Sequence, residues 1–343
     1  RIAQIAGAVS AASGGALDRA VARWRSAAEA AAAAHAPRIE ARGRRGCVRR
    51  CHGDLHLGNV CLFEGRPTPF DAIEFSEEIA EIDAHYDVAF ALMDLMERGF
   101  GGLANAFLSR WLSATRDHSG LALTPLYVSM RAAVRAIAAA GAPDATPSAE
   151  DRLAFAEAAL APRPAPLLIA MGGMSGAGKS TLARALAPEI GAAPGAVSIR
   201  SDVARKRLWG MPPETPAPPA AYAPEASARV YARMLAEARR ALRAGAPVVL
   251  DATFLDPGER AAAAATARGA GAGFAGLWLE APMEVLVARI RARADDASDA
   301  DSAVARAQAE RAAAPGDWLR VDASGGPEAT LASARAALGH ADR

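Results

Sequence analysis

The run Gly173-Met-Ser175-Gly176-Ala177-Gly178-Lys179-Ser180-Thr181 gathers the residue types that handle phosphate. Its spacing is G-x-x-x-x-G-K-[ST]. Gly173, Gly176 and Gly178 let the backbone turn, so that successive N–H groups from Ser175 through Ala177 to Thr181 converge on an anion. A helix starting near Gly178 adds its positive end. Lys179 reaches the β- and γ-phosphates, and the Ser180 hydroxyl binds Mg²⁺. The preceding LLIAM reads as a buried strand and the following TLARALAPEI as a helix, which is the context such a loop needs. The expected cofactors are ATP, or GTP in its place, and Mg²⁺.

Three further stretches carry chemistry that suits phosphoryl transfer. In Ser198-Ile-Arg-Ser-Asp202-Val-Ala-Arg205, Asp202 is placed to accept the proton of an attacking hydroxyl, and Arg205 to hold the substrate or the transferred phosphoryl group. The bland alternative is a helix-capping Asp followed by a surface Arg. VVLDATF ends a strand with Asp251, a carboxylate for the Mg²⁺ water shell, with Thr253 near the phosphates. Arg289 and Arg293 end a helix and lead into DDASDAD, so they can close on ATP and stabilise developing charge. Ordinary helix-dipole complementation is the competing account.

A second constellation lies in the first half. His52-Gly-Asp54-Leu-His-Leu-Gly-Asn59 has H-x-D-x-x-x-x-N spacing. Asp54 would orient and deprotonate an acceptor hydroxyl, and Asn59 would bind Mg²⁺. FDAIEF follows with Asp71 as the next metal ligand and Glu74 beside it, while Asp87 in HYDVAF braces the loop through its backbone. Cys47, Cys51, His52 and His56 also sit close enough to suggest zinc, but their spacing differs from the usual paired loops.

These residues need positioning elements. Residues 1–35 have helical apolar spacing through Leu17, Val21 and Trp24, and Gly and Arg crowd 37–46 into a loop. Short strand-like runs follow at 47–51, 60–63 and 68–73, separated by Gly65 and Pro67; residues 85–140 are mostly helical, and 151–160 form one more helix. PRPAP at 162–166 is a stiff linker, dividing a domain at 1–161 from one at 167–343. Beyond it, strands at 167–171, 196–200, 247–251, 275–280 and 318–322 alternate with helices such as 220–244 and 282–293. That alternation predicts an α/β fold, a parallel sheet with helices on both faces, preceded by a mostly helical α+β domain.

The 343 residues suffice for two cores, which Ala-rich composition and 5% aromatics make helix-rich and thinly packed. A net charge of +1 gives no overall field toward nucleic acid or a membrane surface, and the basic run from Arg38 to Arg50 reads as a solvated loop. Three cysteines do not make a disulfide scaffold. No apolar run approaches the roughly 18 residues of a membrane span. A cytoplasmic setting is expected, and the opening Arg1 suggests that the natural start lies upstream.

The motifs of residues 166–340 resemble the small P-loop kinases related to gluconate kinase, polynucleotide kinase and the zeta-toxin group. The resemblance implies Asp202 as general base, Arg205 as a substrate or phosphoryl contact, and Arg289 and Arg293 as lid arginines. HGDLHLGN with FDAIEF resembles the aminoglycoside phosphotransferase-like kinases, specifically those fused to a C-terminal P-loop domain. Such a kinase carries an N-terminal lobe with a Gly-rich strand turn and a phosphate-holding Lys. The stretch before His52 contains neither, so the first half is expected to be inactive as given. The working expectation is ATP-dependent phosphorylation of a small-molecule hydroxyl by the second half, with no nucleic-acid or membrane partner. A nucleotide-dependent switch acting on the first half, and a toxin-like kinase of a nucleotide sugar, are the alternatives. The acceptor and the oligomeric state are not legible.

Overall fold

The computed structural model describes residues 1–142, 144–292 and 297–341, with the side chains of 340 and 341 excepted. The chain divides into two compact units, one of residues 1–104 with 119–162, the other of 105–118 with 163–343.

The first unit and the helix leading out of it comprise α1 (Ile2–Ala12), α2 (Asp18–Arg44), β1 (Val48–Arg50), β2 (Val60–Phe63), β3 (Arg66–Pro69), α3 (Glu77–Ala80), β4 (Glu81–Asp83), α4 (Ala84–Glu97), α5 (Gly101–Thr115), α6 (Thr124–Ala140) and α7 (Ala149–Ala159). Its core is helical: α6 packs on α1, α4 and α7, and Trp24, fully buried, donates its indole N–H to Ser129 Oγ at 3.0 Å. The loop expected at 37–46 is instead the end of α2, which continues through Pro37 to Arg44. Its last turns are pinned by buried Arg42, whose guanidinium makes two 2.6 Å bonds to Asp83. A bidentate pair of this kind outweighs the one hydrogen bond that Pro37 removes. The strand expected at 68–73 also shifts. Glu64 and Gly65 both have positive φ, +49° and +71°, and form a two-residue turn that starts β3 at Arg66. Pro67 therefore lies inside β3, opposite Leu62. One expectation about apolar runs needs correction: His118–Ala140 is a helical stretch of 23 residues, long and apolar enough by composition to cross a membrane. In this fold 67% of its most apolar window is buried within the protein.

The second unit continues with β5 (Leu167–Gly172), α8 (Lys179–Leu186), β6 (Val197–Arg200), α9 (Ser201–Leu208), α10 (Pro224–Arg243), β7 (Val248–Asp251), α11 (Pro257–Arg268), β8 (Gly273–Glu280), α12 (Met283–Arg291), α13 (Ser302–Arg311), β9 (Leu319–Asp322) and α14 (Pro327–Ala341). The five strands form a parallel sheet of order β6-β7-β5-β8-β9, with β5 at its centre. This is the α/β architecture that the alternation predicted. Strands read as continuous apolar runs because both faces are covered; Leu168, Ile169, Ala170 and Met171 are all fully buried. Much of the surrounding core is alanine, with Ala177, Ala183, Ala187 and Ala323 among its buried members. Residues 105–118, read from sequence as part of the first domain, cluster with this unit. Asn105 donates both amide hydrogens to Pro194 O and Ala196 O at 2.9 and 2.8 Å, and Ser109 Oγ accepts from Ser198 N at 3.1 Å.

Candidate active site

Open parallel sheets bind ligands outside the carboxyl ends of their strands. Here the ends of β5, β6 and β7 and the loop after β9 border one cavity of about 950 Å³. The phosphate loop forms its floor. Gly173 (φ +129°) and Gly176 (φ +85°) are required by both conformation and space, since a Cβ on either would come within 2.6 Å of a backbone carbonyl, Leu279 O or Leu286 O. Gly178, left-handed at φ +88°, caps α8 and aims the helix's first N–H groups into the cavity. Lys179 extends over the loop and donates to Gly173 O at 2.8 Å and Met174 O at 2.9 Å.

Ser180 and Asp251 meet directly, Oγ to Oδ2 at 2.6 Å, and Asp251 is buried at the end of β7. Arg200 Nε lies 3.2 Å from the same carboxylate oxygen. A hydroxyl and a carboxylate side by side are hard oxygen donors, and they fit Mg²⁺ or its bound waters. Asp202 lies in the first turn of α9, directly after β6, and lines the same cavity. Among the described residues no hydrogen bond occupies its carboxylate. Burial, and then the negative charge of Asp251, push its pKa above the ordinary value of 3.8, against the pull of Arg200, Lys179 and Arg205. A partly desolvated carboxylate without a partner, beside the phosphate loop, is chemically competent to take a proton from a hydroxyl.

The arginines are placed differently from one another. Arg205 is buried, stacks on the Tyr222 ring at 4.6 Å, and donates from Nη1 to Ala221 O and to Ser227 Oγ. Arg289 borders the cavity but spends its guanidinium on the carbonyls of Ala323, Ser324 and Gly325, in the loop between β9 and α14. It shapes that loop, where the sequence suggested a lid contact. Arg293 lies outside the described residues. Thr253 accepts from Gly173 N through its carbonyl at 3.0 Å, so the loop after β7 supports the phosphate loop directly.

Several wall residues gave no sequence signal. Gln308 on α13 accepts from Ser175 N at 2.8 Å, taking one of the amides aimed at phosphate. Fully buried Lys206 donates to Asp299 Oδ1 and Pro213 O at 2.8 and 2.9 Å. Asp299 also accepts from Tyr222 OH at 2.6 Å and from Ala217 N at 2.9 Å. Tyr231 accepts from Phe254 N at 3.0 Å and reaches Thr253 Oγ1 at 3.3 Å. Glu259 receives the Tyr231 hydroxyl, while burial pushes its pKa up. These residues sit on amphipathic helices and Pro-rich loops, where spacing alone marks them as surface.

In the first unit the 52–59 loop is braced as its spacing suggests. Asp87 accepts from His52 N and Gly53 N, both at 3.0 Å, and Arg131 donates to Gly53 O at 3.1 Å. Asn59 turns its amide onto Asp54, bonding its carbonyl at 3.0 Å and its carboxylate at 3.2 Å. His56 Nε2 lies 3.4 Å from the same carboxylate. Asp71 is exposed, with φ +60°. Three of the residues suggested for zinc, Cys51, His52 and His56, have other partners. His52 meets Phe70 O at 2.8 Å, and the Cys51 thiol, raised to about 11 by burial and by Asp87, points at Ile82 O. Among the described residues no group of three or more His, Cys, Asp or Glu could hold a metal ion.

The chain is similar to several known proteins over part of its length. Proteins of Mycobacterium tuberculosis and Mycobacterium bovis, each described only as uncharacterized, are 33% identical over 301 residues, 84% of this chain and 59% of their own length. The chain thus spans about three-fifths of the curated relatives it matches. A gluconokinase from Sinorhizobium meliloti aligns at 24% identity and a TM-score of 0.38, covering 52% of this chain and 95% of that one. The Mycobacterium tuberculosis APS kinase CysC aligns at 19% identity and a TM-score of 0.36, covering 51% and 99%. Residues 168–315, from within β5 to beyond α13, match the model of the AAA domain.

Proposed function

We propose that the second unit is an ATP-dependent phosphotransferase whose acceptor is the hydroxyl group of a small molecule. The observation that carries this reading is the position of Asp202. Its carboxylate has no hydrogen-bond partner among the described residues and lines the same cavity as Lys179, Ser180 and Asp251. An ATPase needs the last three; a group transfer to an alcohol also needs a proton acceptor.

The geometry supports the following division of labour. The amides of residues 175–181 and the N-terminus of α8 bind the phosphates. Lys179 exchanges its two carbonyl bonds for phosphate oxygens and stabilises charge as it shifts to the leaving group. Ser180 and Asp251 would hold Mg²⁺, which screens the β- and γ-phosphate charge when bound. Asp202 accepts the proton of the incoming hydroxyl, and the charge of Lys179 keeps its conjugate base accessible. The bond between the bridging oxygen and the γ-phosphorus breaks as the acceptor oxygen bonds to that phosphorus, giving ADP and a phosphate ester.

The test is ATP turnover and ATP binding by the purified chain with Mg²⁺ and a pool of small hydroxyl compounds. Lys179→Ala should lose both functions. Asp202→Ala should keep ATP binding within about threefold and lose transfer by about 10²-fold or more, the range for a general base. If Asp202→Ala leaves acceptor-dependent turnover intact, the reading is wrong. If no compound accelerates turnover while ATP still binds, a nucleotide-dependent switch replaces it.

A further inference from the structure

The end of the cavity beyond Asp202 has a charge and hydrogen-bonding character that selects an acceptor class. It is walled by the start of α9, the turn at 219–222, the first turns of α10, and the loop from Thr253 into α11. Asp202, Asp256 and Glu259 line it together with Tyr222, Tyr231 and Thr253. Asp299 adds a fourth carboxylate, already offset by the buried Lys206.

Two of the arginines bordering the cavity, Arg205 and Arg289, are engaged by other groups. Arg205 is held by Ala221 O, Ser227 and the face of Tyr222. Arg289 is bonded to the carbonyls at 323–325, in the loop after β9, the edge strand farthest from β6. Arg311 shares a face of α13 with Gln308, whose amide oxygen sits on the phosphate loop. Asp202, Asp256 and Glu259 thus line the cavity together with Arg205, whose guanidinium is already bonded to Ala221 O and Ser227 Oγ. An acceptor carrying a carboxylate or phosphate would enter this end against that charge, and against the triphosphate beside it. Burial raises the affinity of Asp202 and Glu259 for protons. When protonated they offer hydroxyl-directed hydrogen bonds and still provide no attraction for an anion.

We infer that the acceptor is a polyhydroxylated small molecule without negative charge, a neutral or amino-bearing sugar or polyol, and that Glu259 and Asp256 discriminate against its anionic analogues. This rests on the phosphotransferase reading above. The Asp202 carboxylate, with no hydrogen-bond partner among the described residues, matches a ligand that brings hydroxyl donors, because a buried polar group left unpaired would disfavour binding.

The experiment measures kcat/KM of the full chain, with saturating MgATP, for a carbon-matched panel of glucose, sorbitol, glucosamine and gluconate, with a nucleoside monophosphate as a second anion. The expected result is transfer to a neutral or amino-bearing member about tenfold or more above either anion. Glu259→Gln should raise kcat/KM for gluconate relative to glucosamine by about fivefold or more, a ratio that a uniform loss of folded protein does not move. Asp256→Asn, which keeps an acceptor for the 2.6 Å bond from Gly258 N that starts α11, should shift the ratio in the same direction. Highest kcat/KM for gluconate or the nucleotide overturns this inference and leaves the phosphotransferase reading standing. Ratios unmoved by both variants overturn the role of the carboxylates. No acceleration by any member of the panel overturns both readings.

Discussion

Gln308 offers a sharp test of how the phosphate loop is held. Its side-chain carbonyl accepts from Ser175 N at 2.8 Å, on an amide that the loop would otherwise direct at a phosphate oxygen. A phosphate oxygen and Gln308 would then compete for one donor, and ATP would bind only after that bond is broken. A neutral hydrogen bond contributes about 0.5–1.5 kcal/mol net. Gln308→Ala should then tighten ATP binding by about 2- to 13-fold. Gln308→Glu should act in the opposite direction. A carboxylate would hold the Ser175 amide with a charge-assisted bond and repel the phosphates, weakening ATP by about tenfold or more. The assay is calorimetric titration of both variants and the wild type with MgATP at fixed salt. If Gln308→Ala leaves affinity unchanged or weakens it, Gln308 does not compete with the nucleotide, and the reasoning fails.

Asp202 should trade stability for function. Its pKa is raised in the folded protein, so the native chain holds this proton to higher pH than the unfolded chain does. Its contribution to stability is therefore intact at and below the ordinary value of 3.8, and is lost as pH rises through the folded pKa. Asp202→Asn should melt higher than wild type at pH 7, with the gap closing toward pH 4 in thermal scans, and should lack transfer activity. Lys206→Met leaves Asp299 with its negative charge uncompensated. Urea unfolding should show a loss of about 1–3 kcal/mol, since the partly buried Asp299 keeps bonds from Tyr222 OH and Ala217 N, and Lys206→Met with Asp299→Leu should recover part of it. Asp54→Ala should leave ATP turnover by this chain within about twofold, because its carboxylate is engaged with Asn59 and His56; a larger drop would place the 52–59 loop in catalysis.

The phosphate loop was legible because its chemistry is local. Gly173, Gly176 and Gly178 must take backbone angles that side chains disfavour, and Lys179 and Ser180 follow at fixed covalent distance. The sheet was legible for a related reason. A strand buried on both faces needs an unbroken apolar run, and parallel strands need intervening helices. Irregular segments gave up less. The end of α2 read as a loop because the bond from Arg42 to Asp83, 41 residues away, leaves no mark in residues 37–44. β3 began earlier than Pro67 suggested because a two-residue turn, with Glu64 in an unusual conformation, set its register.

Sequence by itself determined the residues that could perform phosphoryl transfer, since loop motif, strand-end Asp and helix-start Asp are each defined within a few residues. Only the tertiary structure decided which of them share a cavity and what else lines it. Asp251 and Ser180 meet across 71 residues, Gln308 reaches Ser175 across 133, and Asp299 joins Tyr222 across 77. The physical reason is that a side chain's charge and hydrogen-bonding role depend on what folding places beside it. Arg205 and Arg289 have the same side chain, yet one stacks on Tyr222 and the other holds the loop after β9.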